Sequence, residues 1–145
     1  MGLPSVNITL DNGALGGTPS SDDSIAGLLL TGATVSGANK VTAGKAYGIF
    51  SLNQAIALGI EQTGSNAYAY SHIKEFYDAA GTGSELWIML TPATITMEDM
   101  LDKSKAYAPV LLDAAKGKIR KLGISRKSAA GVTIAGGLAA DVGTA

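Results

Sequence analysis

The sequence predicts an α/β fold: a single layered domain with a mixed, partly parallel sheet flanked by helices, plus an N-terminal strand arm. Two observations predict it. Short apolar segments such as residues 86–90, too short for helices, alternate along the chain with segments of helical periodicity. Glycine-containing turns and helix-capping residues separate these segments. At 145 residues, the chain is long enough for one domain with a substantial core.

The beginning of the chain predicts an arm. Val6, Ile8 and Leu10 alternate with polar residues, as in a half-buried strand. The loop that follows is rich in Gly, Ser and Asp, so the strand can pair with its own sheet or with a neighbour's. We divide the chain into three parts: arm and loop at 1–24, α/β core at 25–128, and a Gly/Ala-rich linker or truncated strand at 129–145.

The first half of the core predicts two strands and two helices. Residues 25–35 and 47–50 are apolar segments bounded by loop residues. Ser51 stands three residues before Gln54, the capping-box arrangement, and opens a short helix. A longer helix begins at Ser65-Asn66 and ends before Gly81. One face of that helix carries Tyr70, Ile73, Phe76, Tyr77 and Ala80.

The second half of the core begins with the strand at 86–90. Thr96 is a capping residue for a helix predicted over 97–105. Pro109 should break or kink the helical pattern that follows, so a separate second helix comes next. A strand is predicted over 119–125, and 132–134 is a candidate short strand.

Composition excludes several kinds of functional site. The chain has no cysteine, which excludes disulfides and thiolate chemistry. Its one histidine, His72, is predicted to be a surface or half-buried residue. The longest weakly polar tract, 129–140, is shorter than the roughly 20 residues of a membrane-spanning helix. We therefore expect no membrane insertion.

Motifs for nucleotide binding and catalysis are absent. Gly44-Lys45 lacks the preceding glycine of a phosphate-binding loop, and Gly81 with Gly83 lacks the third glycine of the dinucleotide fingerprint. The acidic pair Glu98-Asp99 suits the positive end of a helix. We expect no catalytic, cofactor-binding or metal-binding residues.

Charge is distributed unevenly along the chain. The net charge is −1 overall, but it is −6 through residue 115 and +5 from residue 116 onward. This asymmetry fits head-to-tail association of identical copies, and it also fits a solvated strand edge on which lysines discourage pairing. Binding of nucleic acid is the weakest interpretation, because no aromatic residue follows Tyr107 and the basic segment therefore offers no ring on which bases could stack. The six basic residues of this segment are Lys116, Lys118, Arg120, Lys121, Arg126 and Lys127.

An ordered set of segments carries a family resemblance. It comprises residues 25–33, 47–52, 73–77, 86–90 and 118–125, with glycines at 59, 81 and 83. In this order the chain resembles the N-terminal part of contractile phage tail sheath proteins, in particular an uncharacterised prophage-encoded branch. Thr82 stands where that family has the second glycine of a turn.

The resemblance implies a structural, non-enzymatic protein. Sheath subunits form rings or a helix around a tail tube, and terminal arms add strands to neighbouring sheets. The implied partners are copies of itself and a tail tube protein, with no nucleic acid and no cofactor, in the virion tail and in the host cytoplasm during assembly. The candidate subunit-interaction residues are Val6, Ile8, Leu10, Lys116, Lys118, Arg120, Lys121, Arg126 and Lys127.

Two other classes of function stay open at this point. The first is a small α/β enzyme or ligand-binding domain with a site at the strand ends, near Thr91 or Ser125, where such sites usually lie. The second is an adaptor that caps a larger assembly without contracting.

Overall fold

The computed structural model describes residues 25–128 and the backbone of two short strands beyond them. The predicted strand at Val6, Ile8 and Leu10 lies outside the described residues, as do residues 132 and 133. The elements, in chain order, are β1 Ala26–Thr31, β2 Ala46–Ile49, α1 Leu52–Ala57, α2 Ala67–Ala80, β3 Leu86–Thr91, α3 Met97–Leu101, α4 Ala108–Ala114, β4 Lys121–Ser125, β5 Ile134–Ala135 and β6 Leu138–Ala139.

Four strands form one mixed sheet in the order β2-β3-β1-β4. β1 is parallel to both β3 and β4, so that Leu29 lies beside Met89 on one side and Ile124 on the other. β2 is antiparallel to β3. The sheet is therefore mixed and partly parallel, which confirms the predicted fold class. β5 and β6 form a separate antiparallel pair.

Helices cover both faces of this sheet. Leu30 and Ile88 belong to a core cluster that includes residues of α1 and α2. Leu29 and Met89 point the other way, into a cluster formed with α3 and α4. Because β1 and β3 are buried on both faces, their sequences are continuous apolar runs rather than alternating patterns.

Local signals place most of the helix ends. The hydroxyl of Ser51 accepts a hydrogen bond from the Gln54 amide at 3.3 Å, and the Gln54 side chain accepts one from the Phe50 amide at 2.8 Å. The Thr96 hydroxyl accepts from the Asp99 amide at 3.1 Å. Both predicted helix starts are confirmed.

Two elements end about four residues earlier than predicted, and β4 begins two residues later than predicted. β1 ends at Thr31, not near residue 35, because the chain turns after Gly32 to run beside residues 41–43. α3 ends at Leu101, because Asp102 takes an extended ψ of 120° and binds Ser104 instead of continuing the helix. These hydrogen bonds from Ser104 lower the pKa of the Asp102 carboxyl.

Within the described residues, no helix has the length and apolar character needed to cross a membrane. The same part of the chain contains no group of three or more acidic or histidine residues able to hold a metal ion.

Candidate functional site

The outer edge of β4 is the first candidate site. β4 pairs with β1 on one side only, and no other strand in the described part of the chain pairs with its outer side. A strand at a sheet edge presents unpaired amide and carbonyl groups that can pair with another extended segment. Lys121 is exposed, and the next four residues of β4 are partly exposed.

A turn at the end of α4 leads into this edge. Lys116 has a φ of +51° and Gly117 a φ of +70°, so the chain leaves the helix through two left-handed residues. Ile119, buried in the α3–α4 cluster, anchors the segment that follows. The Arg120 amide donates to the Ile25 carbonyl at 3.0 Å, just before β1 and β4 begin to pair.

Most of the predicted basic segment faces solvent. The described residues form the ion pairs His72–Glu75, Lys74–Asp78 and Lys105–Asp99, and none of these involves the five exposed members of this segment. The positive charge here is therefore available to an anionic partner. The exposed members of the segment are Lys116, Lys118, Arg120, Lys121 and Lys127.

Arg126 has a different role from the other basic residues. Its Nε donates to the Ile95 carbonyl at 2.8 Å, and a terminal nitrogen donates to the Ala93 carbonyl at 3.4 Å. The guanidinium therefore ties the end of β4 to the loop that follows β3, and its position is set by contacts within the chain.

Three polar side chains hold β4 against α2. The Ser125 hydroxyl lies 2.6 Å from the Tyr68 hydroxyl and 3.0 Å from Nε2 of His72. Nδ1 of His72 is 3.5 Å from the Glu75 carboxylate, which is largely exposed. His72 is thus half-buried, as expected, but sequence reasoning missed its partner because Ser125 is 53 residues away.

The Ser125–His72 hydrogen bond resembles the pairing of a nucleophile with a base. Tyr68 contacts the same hydroxyl, and Ser125 does not line either of the two cavities described below. These contacts anchor the edge strand to α2.

A cavity of about 580 Å³ lies at the carboxyl ends of the three parallel strands. The sequence predicted that any ligand site would lie near Thr91 or Ser125, and residues just after each of these strand ends line the cavity. The lining residues are Thr31, Gly32, Ala33, Thr34, Ala43, Ser65, Pro92, Ala93, Lys127 and Ser128.

A smaller cavity of about 340 Å³ lies between the other edge strand and α1. Tyr47, Gly48 and Ile49 of β2 line one side, and Ala57 with Leu58 lines the other. It contains no charged side chain among its described lining residues.

The fold and these surfaces define a single α/β domain with an open, basic sheet edge. The chain belongs to the family described as DUF2586, N-terminal domain, whose model matches residues 3–137. The match includes both the predicted arm and the described core. No curated protein matches the chain, and no solved structure matches it either.

Proposed function

We propose that the protein is a structural self-assembling subunit similar to a contractile phage tail sheath protein, polymerising around a tail tube. The observation that carries the proposal is the open edge of β4, whose two faces suit the residue pattern of the arm. The resemblance in segment order noted above supports the same function.

One face of β4 is apolar and the other is polar. Leu122 and Ile124 are partly exposed and lie against the α3–α4 cluster. Lys121, Gly123 and Ser125 alternate with them and therefore face the α2 side. A strand added beside β4 would continue both surfaces.

The arm has the matching alternation. In an extended arm, Val6, Ile8 and Leu10 lie on one face, and Asn7 and Thr9 lie on the other. Placed beside β4, the apolar residues would cover Leu122 and Ile124. Strand addition of this kind draws its affinity from backbone hydrogen bonds and its specificity from alternate side chains.

Charge also favours pairing between the two segments. Residues 1–24 contain Asp11, Asp22 and Asp23 but neither lysine nor arginine. The exposed basic residues beside the β4 edge, Lys118, Arg120 and Lys121, form no ion pair within the described part of the chain. Opposite charges on the two segments accelerate association and set its orientation.

The partners in this proposal are copies of the chain and a tail tube protein. The protein acts in the virion tail and in the host cytoplasm during assembly, without enzymatic activity, cofactor, nucleic-acid partner or membrane insertion. An extended lattice that relaxes to better-packed contacts would supply the force for contraction.

Negative-stain electron microscopy of the complete reading frame, with solution mass on the same sample, tests the proposal. Tubes or stacked rings are the expected result, whereas a uniform monomer across salt and protein concentration would contradict it. Single closed rings would instead favour the adaptor that caps an assembly.

Charge reversal locates the interface. The variant Lys118→Glu/Lys121→Glu should lose assembly, and Lys45→Glu/Lys103→Glu, which makes the same change of charge at two exposed lysines outside β4, provides the matched control. Adding Asp11→Lys, Asp22→Lys and Asp23→Lys to the double variant should restore assembly. If Lys118→Glu/Lys121→Glu assembles as well as the control does, β4 is not the interface.

A further inference from the structure

We infer that the cavity at the carboxyl ends of β1, β3 and β4 binds a small molecule with an apolar body and one anionic group. This inference does not depend on self-assembly, because the cavity lies at the ends of the strands and not along the outer edge of β4.

The topology places the cavity at a branch point of the fold. From β1 the chain passes through β2, α1 and α2 to β3 on one side of β1, and from β3 it passes through α3 and α4 to β4 on the other side. The segments that leave β1 and β3 therefore pass to opposite faces of the sheet from the same end of it. In open α/β sheets, ligands bind in the crevice outside the strand ends at such a point.

The size of the cavity suits a small organic molecule. Its volume of about 580 Å³ falls within the range of about 300–1,000 Å³ that is usual for ligand sites. Such sites are largely apolar, with a few polar groups that fix orientation.

Hydrogen bonds hold the walls of the cavity in place. The Asn66 side chain binds both backbone groups of Ala33, at 2.7 and 3.1 Å. The Lys127 amide donates to the Thr31 hydroxyl at 3.0 Å, which joins the segments after β1 and β4. A ligand would therefore find the walls already positioned, with little ordering cost.

The side chains of the lining residues indicate the class of ligand. Ala33, Ala43, Pro92 and Ala93 supply apolar surface. Lys127 is the only charged residue among the described lining residues, and its ammonium group has no ion pair with any of them or with the rest of the described chain. Lys127 is exposed, and an unneutralised cation beside this apolar lining favours an anion.

Two hydroxyl groups add further donors. Ser65 and Ser128 are lining residues of the cavity, and their hydroxyls make no hydrogen bond within the part of the chain that the structure describes. Together with Lys127, they provide an ammonium and two hydroxyls, which suits a carboxylate or sulfonate joined to an apolar ring.

A matched pair of probes tests this inference on the full chain. Isothermal titration calorimetry and saturation-transfer NMR would compare the binding of 2-naphthoate with that of the uncharged 2-naphthamide. Both methods can be used on monomers and on assemblies. We expect one naphthoate per chain and binding of the amide weaker by about tenfold, because only the carboxylate meets Lys127.

Variants assign the binding to this cavity. Lys127→Gln should weaken the binding of naphthoate by about tenfold. Lys103→Gln removes a positive charge at another site and should leave this binding unchanged. Ala93→Trp should fill the cavity and remove binding of both probes, with circular dichroism confirming that the variant is folded. No binding of naphthoate, equal affinity for the two probes, or a Lys127→Gln variant that binds like the unmodified chain would each overturn the inference.

Discussion

Asn66 stands at the beginning of α2, but its side chain is bound to Ala33, two residues after the end of β1. The Ala33 amide donates to Oδ1 of Asn66 at 2.7 Å, and Nδ2 donates back to the Ala33 carbonyl at 3.1 Å. Asn66 is 3% exposed and gives no side-chain cap to its own helix. One buried carboxamide therefore joins the start of α2 to the segment that leaves β1.

Replacing Asn66 by alanine should lower the free energy of unfolding by about 2–3 kcal/mol, because both backbone groups of Ala33 lose their partner in a part-buried site. Urea denaturation measures the change. Asn53→Ala, an exposed position on α1, is the control and should stay within about 0.5 kcal/mol. Equal effects of the two substitutions would show that the hydrogen bonds to Ala33 contribute little.

Gly32 should not tolerate a side chain. A Cβ at this position would lie 2.8 Å from Oδ1 of Asn66 and 2.8 Å from a methyl group of Leu90. Gly32→Ala should therefore destabilise the domain by about 1–3 kcal/mol, the usual cost of overpacking. Thermal unfolding of Gly32→Ala in the Asn66→Ala background separates the contact with Asn66 from the contact with Leu90. Part of the destabilisation by Gly32→Ala should disappear in that background, because Oδ1 of Asn66 is absent. An unchanged effect would place the clash on Leu90 alone.

The Tyr68–Ser125 contact should stabilise the edge strand. Tyr68→Phe and Ser125→Ala should each cost about 1 kcal/mol, the net value of a neutral hydrogen bond. The double variant should cost less than the sum of the two single variants. Amide hydrogen exchange in β4 should quicken in both single variants. Tyr70→Phe is the control, because no hydrogen bond of the Tyr70 hydroxyl occurs among the described residues. If the unfolding free energies of the two single variants add exactly to that of the double variant, the contact contributes nothing.

Burial of Tyr77 should make the domain sensitive to alkaline pH. Desolvation raises the pKa of the Tyr77 phenol to about 12. In the unfolded chain the same phenol ionises near pH 10. The stability that the neutral, buried Tyr77 contributes is therefore complete below pH 10 and is lost as pH rises through about 12. Between pH 9 and 11.5, unfolding free energies of wild type should fall more steeply than those of Tyr77→Phe, by about 1–2 kcal/mol in total. Parallel pH profiles would contradict this assignment.

Much of the secondary structure was predictable because its signals are local. The apolar run at 86–90, the capping pair Ser51 and Gln54, and Gly81 at the end of α2 act through neighbours a few residues away. The structure follows all three. The ends of β1 and α3 were placed wrongly, because after Gly32 the chain pairs with residues 41–43 and because Asp102 binds Ser104, a local turn that the helical periodicity did not indicate.

The candidate sites were predictable only in part. The cluster of basic residues at 116–127 is visible in the sequence, but only the structure shows that Arg126 is bound to the loop after β3 while Lys121 faces solvent. The pairing of the arm with this edge remains a prediction, since residues 6–10 lie outside the described residues.

The sequence by itself determined the α/β class, the alternation of strands and helices, and the opposite net charges of residues 1–115 and 116–145. These follow from periodicity and charge, which each short segment carries within itself. Only the tertiary structure decided that β1 lies between β3 and β4, that Asn66 binds Ala33 and that Tyr68 meets Ser125. Each of these contacts joins residues more than thirty positions apart. Their partners are chosen when the sheet and helices pack together, and that choice depends on the whole chain at once.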